Sequence, residues 1–247
     1  MGVPSAMTYL QFHLVFILPP LVVLTLLQRG TRGRAGYQPW WPLAAMFAAA
    51  FVYTTPWDNY LIANAVWTYP PDRVLATIGY VPVEEYAFFG LQTVLTGLWV
   101  RLLQVRFPVW PIPDGRKPMR YLVASILLLL ALLGGVMIYA GGHWTYMGLI
   151  VAWAFPILAL MWGMGGHLIW ERRRLMAWAV IPTTLYLWTA DRIAIGLDIW
   201  HITDATRTGV ELFGLPIEEA LFFLVTNLLV AQGLVMLERP TDGVVAA

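Results

Sequence analysis

Two adjacent glutamates, Glu84 and Glu85 in "VPVEEYAFF", recur as Glu218 and Glu219 in "LPIEEALFF". Each pair follows a proline and precedes a phenylalanine pair, Phe88 and Phe89 in the first copy, Phe222 and Phe223 in the second. Asp58 and Asp191 stand upstream of the two motifs, in stretches that are otherwise apolar. An ionisable group in the middle of a bilayer costs at least about 2.5 kcal/mol, so such groups face a protein interior and mark function. Removal from water favours the protonated form of a carboxyl group, and a carboxylic acid close to a carboxylate is the pairing that general acid–base catalysis uses. The aromatic faces of Phe88, Phe89, Phe222, Phe223, Trp57 and Tyr86 would stabilise a developing cation beside those acids. Acid, base, aromatic lining and an apolar slot together suit proton-initiated rearrangement or cyclisation of a lipid-soluble alkene. That chemistry requires no redox cofactor, and no metal is expected.

Helical periodicity puts Glu85, Phe89 and Gln92 on one face, and Glu219, Phe223 and Thr226 on its counterpart. Glu84 leads instead to Phe88 and Leu91, and Glu218 to Phe222 and Val225. Which glutamate is the acid and which the base does not follow from this spacing. A proline and two acids also make ordinary helix-start chemistry; the exact duplication and the paired aspartates weigh against that as the whole account. Glutamine at Glu84 or Glu218 is expected to abolish the reaction without preventing insertion.

The elements that must carry these residues are membrane helices. Of 247 residues, 60% are hydrophobic and 12% charged, too apolar for a soluble chain of this size. Runs long enough to span a bilayer core occur near Thr8 to Gln28, Pro42 to Trp67, Val83 to Val105, Tyr121 to Ala140, Trp144 to Ile169, Leu175 to Trp200 and Leu215 to Leu237. Arginine and lysine gather in alternate connections: Arg29, Arg32 and Arg34; Arg101, Arg106, Arg116, Lys117 and Arg120; Arg172, Arg173 and Arg174. This bias predicts an N-terminus outside and a cytoplasmic C-terminus, with the first span a retained helix.

The double motif belongs to a longer internal repeat. The Thr-Tyr pair and proline of "TYLQFHLVFILP" recur in "TYMGLIVAWAFP", and Tyr53, Asp58 and Trp67 recur as Tyr186, Asp191 and Trp200. Three helices are duplicated, and an odd linking helix between the copies restores their direction. The predicted fold is all-α: a polytopic membrane protein of seven transmembrane helices, with two parallel three-helix repeats over residues 1–110 and 143–247, joined by a linking helix within 111–142. The zero cysteines exclude disulfides and thiolate chemistry. A net charge of +1 argues against a nucleic-acid partner.

"PVEEYAFFGLQTVLTGLW" and "LPIEEALFFLVTNLLVAQGL", with "PWDNY" before the first, resemble the membrane lycopene cyclase family, in its fused single-chain form. The resemblance extends from Thr8 to Leu237. It implies redox-neutral conversion of the acyclic ends of lycopene to β-rings, giving β-carotene through the one-ring γ-carotene. Glu84, Glu85, Glu218 and Glu219 are then the acid and base, with Asp58 and Asp191 as relay or cation-stabilising candidates on account of their burial. The substrate would be a lipid-soluble carotenoid taken from membrane lipid; other enzymes of the same pathway, or a second copy of the chain, are the protein partners it allows.

Other classes fit less well. A retinal Schiff base needs a lysine in the membrane, and the sole lysine, Lys117, lies in a basic connection. A proton-coupled transporter is the strongest rival, because parallel repeats and buried carboxylates suit it too. A cyclase of a longer, prenylated carotenoid is a further alternative.

Overall fold

The computed structural model describes residues 7–107 and 117–239. The predicted connection around Arg116 and the C-terminal tail beyond residue 239 lie outside the described residues. The chain is a helical bundle: α1 (Tyr9–Phe12) runs through a π-helical stretch (His13–Ile17) into α2 (Leu18–Gln28), followed by α3 (Trp41–Ala63), α4 (Val83–Arg106), α5 (Lys117–Ala140), α6 (Thr145–Glu171), α7 (Arg173–Gly196) and α8 (Ile217–Met236). Their boundaries agree with the apolar runs to within a few residues. Among the described residues, five helical segments are long and apolar enough to cross a membrane: Tyr9–Thr31, Val83–Arg106, Lys117–Ala140, Gly142–Glu171 and Ile217–Met236. Long as they are, α3 and α7 fall short of that measure, since Trp, Tyr, Thr and Pro residues and the acids Asp58 and Asp191 lower their hydropathy. The protein is an all-α, multi-pass membrane protein.

At the centre α4 and α8 pack against each other, and polar groups tie them. Gln92 donates from Nε2 to Thr226 Oγ1 at 2.9 Å, and Thr96 donates to Asn227 Oδ1 at 2.6 Å. Such pairs satisfy in hydrocarbon what would otherwise be orphaned polar atoms. The linking helix α5 lies on α6, where Gly134 and Gly148 let the two backbones touch: a Cβ on Gly134 would meet Ala152 N at 2.7 Å. Most of its remaining surface is exposed.

Three two-residue ladders close one end of the bundle. β2 (Thr77–Ile78) pairs with β3 (Val81–Pro82), and β5 (Glu211–Leu212) with β6 (Leu215–Pro216). Positive φ at Gly79 (65°) and Gly214 (78°) supplies the tight turns these hairpins need. β1 (Trp67–Thr68) pairs antiparallel with β4 (His201–Ile202), joining the two connections directly. The start of α1 is held at this same end, with Tyr9 N–H donating to Arg73 O at 2.9 Å. The opposite end carries the basic connections, where Arg172 meets Glu238 at 2.6 Å with both side chains buried.

Candidate active site

Each hairpin ends in a proline, Pro82 or Pro216, that opens the following helix, so both glutamate pairs fall in a first turn, whose leading N–H, Val83 or Ile217, donates to Ala76 O or Val210 O at 2.9 Å. Within each pair the two side chains diverge. Glu84 turns back to its own loop and accepts Leu75 N–H at 2.8 Å; Glu218 likewise accepts Thr208 N–H at 2.6 Å and its hydroxyl at 2.7 Å. Glu85 and Glu219 face inward, into a chamber walled by α1, α4, α7, α8 and the loop between β1 and β2.

Phenols hold the inward pair. Glu85 Oε2 accepts from Tyr9 at 2.6 Å and from Tyr69 at 2.8 Å, whereas among the described residues Glu219 accepts from a single phenol, Tyr146, whose hydroxyl lies 2.5 Å from Oε1. Tyr9 and Tyr146 occupy matching places after the repeated threonine, but where the first copy has Tyr69 the second has Ile202. Burial, and then the Glu85 charge, push the Tyr69 phenol well above its ordinary range, so it remains a donor. Asp191 lies against Glu219 and accepts from Trp200 Nε1 at 3.1 Å.

Phe88, Phe222 and Phe223 line the chamber together with Phe12, Trp67 and Trp200. Its free space is about 20 Å³, enough for one water molecule and no more. The other expected residues sit around it. Asp58 is fully buried on α3, with no hydrogen-bond partner for either oxygen among the described residues. Trp57 stacks on Phe222 from behind, at 5.8 Å and 7°. Phe89 packs edge-on to Phe51, and Tyr86 donates to Ile78 O at 3.1 Å, anchoring the first hairpin.

A lycopene β-cyclase of Halobacterium salinarum aligns over 233 residues at 42% identity, covering 93% of this chain and 95% of that enzyme. The chain belongs to the lycopene β-cyclase family. Bifunctional lycopene cyclase/phytoene synthases are similar as well: that of Podospora anserina at 35% identity over 95% of this chain and 41% of its own length, and that of Aspergillus oryzae at 36% over 93% and 39%. No protein-family model and no solved structure matches the chain.

In this family member the residues that sequence reasoning missed are the phenols. Tyr9 and Tyr146 were visible as repeat markers, but their partners lie 76 and 73 residues away, beyond any local pattern. Tyr69 has no counterpart in the second copy and so left no mark in the repeat.

Proposed function

We propose that the chain cyclises the acyclic ends of lycopene to β-rings, without a cofactor, between Glu219 and Glu85, in a chamber whose aromatic lining must move aside to admit the reacting end. The observation that carries this reading is the unequal setting of those two buried carboxyl groups. Glu219, in contact with Asp191 and with a single phenol donor, is the acid: it gives its proton to the terminal double bond. The neighbouring alkene attacks the resulting cation and closes the six-membered ring, which moves the positive charge into the ring. Phe88, Phe222 and Phe223 present aromatic faces to that charge. Glu85, whose charge two phenols stabilise, is the base that removes a ring proton and restores a double bond. One proton enters and one leaves, so mass is unchanged.

The same reading covers the architecture. Seven spans form two parallel three-helix repeats, residues 1–110 and 143–247, with a linking helix within 111–142. Recurring contacts support it: Tyr9 to Glu85 as Tyr146 to Glu219, and Tyr53 to Trp153 O as Tyr186 to Phe16 O. The chamber lies towards the outer face, with the basic connections and the C-terminus in the cytoplasm.

The test is to supply lycopene to membranes containing the chain and to separate the extracted pigments by chromatography with absorption and mass detection. In ordinary water, products of unchanged mass and shorter-wavelength absorption are expected. In D2O each ring should gain one deuterium, because the proton that Glu219 delivers exchanges with solvent. Untouched lycopene, with the chain present in the membrane, would refute the reading.

A further inference from the structure

Behind the chamber wall a second cavity of about 420 Å³ opens on the flank of the bundle, between α3 and α6 over a floor of α4 and α8. Where α3 and α6 meet, side chains bridge them: Tyr53 donates to Trp153 O at 2.9 Å and Trp57 to Leu149 O at 3.2 Å. Beyond that bridge small residues, Ala49 and Ala50, leave the space open to the lipid side. From Met46 to Tyr53 the slot follows about two helical turns, roughly 10 Å along the bundle.

Its lining carries no ionisable side chain except the bridging Tyr53 phenol. The polar groups on the floor bond to the protein: Thr93 donates to Phe89 O, Thr226 to Phe222 O, and Gln92 Nε2 to Thr226. The lining is otherwise hydrocarbon and aromatic ring, with Trp153 Nε1 the one buried nitrogen in it that lacks a hydrogen-bond partner among the described residues, a surface that favours a largely apolar occupant. One side chain, Phe222, lines both this slot and the carboxylate chamber. Its ring is stacked on Trp57 and Trp153 and edge-on to Trp67 and Phe223. Rotation of that ring would join a slot with room for a chain to a chamber that has room only for a water.

We infer that the slot between α3 and α6 binds the polyene chain of the substrate, entered sideways from the bilayer, with Phe222 as the gate to the carboxylates. This rests on the proposed cyclase reading and adds to it where the non-reacting part of the substrate lies. The occupant is a long apolar alkene. Its continuity with the acid chamber through Phe222 distinguishes it from an annular lipid.

Two measurements on the full chain in membranes test it. Ala50→Trp, which fills the slot, should lower the rate of lycopene conversion at least tenfold, while Leu185→Trp, on the exposed face of α7 at the place matching Val52, should change it less than twofold. Independently of turnover, a diazirine amino acid placed at Val52 should lose N2 on illumination with lycopene and give an adduct heavier by one lycopene less N2; the same group at Leu185 should not. Adduct at position 52 alone, without cyclisation by the wild-type chain, would keep the slot and remove the cyclase reading. Cyclisation with equal adducts at both positions, or with Ala50→Trp at the wild-type rate, would keep the cyclase reading and overturn the slot.

Discussion

Glutamine at Glu85 and glutamine at Glu84 change the same few atoms on neighbouring residues, yet the geometry assigns them very different consequences. Glu85 faces the chamber with two phenols on its Oε2, so on the proposed mechanism Glu85→Gln removes the base. Loss of a general base costs about 10²–10⁴-fold in rate, which is roughly 2.7–5.4 kcal/mol of barrier. Glu84 accepts Leu75 N–H at 2.8 Å through Oε1, and the glutamine carbonyl can accept the same bond. What Glu84→Gln forfeits is charge assistance, about 1 kcal/mol, and it falls on the stability of the hairpin connection and not on the reaction. The assay is the initial rate of lycopene conversion in isolated membranes, normalised to the amount of inserted protein. Glu84→Gln should stay within about threefold of wild type and Glu85→Gln should drop at least a hundredfold, with Glu218 and Glu219 following the same split. This reverses the expectation from sequence, in which Glu84 and Glu218 were the positions to lose. A Glu84→Gln variant as inactive as Glu85→Gln at equal protein level, or a Glu85→Gln variant at wild-type rate, would refute the division of roles.

The acid and base can be told apart through their phenols. Tyr69→Phe removes one of two donors to the Glu85 charge, worth about 1.5 kcal/mol, and should slow conversion roughly tenfold. Tyr146→Phe removes the donor to Glu219, which acts while it holds its proton, and should cost no more than about threefold; the opposite ranking in the same rate assay would exchange the two roles. At the basic end, Arg172→Met leaves Glu238 buried without the cation 2.6 Å away. The expected loss is about 3–5 kcal/mol of stability, seen as less inserted protein and faster thermal inactivation in detergent, and an unchanged melting profile would contradict it.

The helices were legible because a membrane span is a long apolar run, and its ends are marked by Arg, Pro and Gly. Short ladders gave no such signal: two residues cannot show an alternating pattern, and Thr77–Ile78 reads simply as loop. The glutamates stood out as candidates from their cost in hydrocarbon, but which member of each pair faces the chamber did not. Both members of each pair lie in a first turn, and only the hairpin folding back onto Glu84 or Glu218 decides which one is taken up by the loop. Trp57, Phe89 and Tyr86 were expected as aromatic faces beside the acids; packing places Trp57 against the back of Phe222, Phe89 on the floor of the slot and Tyr86 on the first hairpin. The slot was hidden for a different reason: Ala48 to Ala50 in a helix reads as ordinary close packing until the position of α6 is known.

A duplicated unit starts with two equal carboxyl groups, and a proton-initiated cyclisation needs two unequal ones. The inequality here resides in few positions. Tyr69 gives Glu85 a second donor, and Ile202 withholds it from Glu219. Trp200 reaches Asp191 with its Nε1, while Asp58, the matching residue, has no hydrogen-bond partner among the described residues. Gln92 and Thr226, which also occupy matching places, bond to each other across the centre, a pairing that two identical threonines could not make at the same span because the longer side chain supplies the reach. On this view the repeat builds the chamber by bringing two inward glutamates to one level. Under the proposed mechanism, the substitutions between the copies would turn a symmetric pair into a donor and an acceptor of protons around the ring-forming end of the substrate.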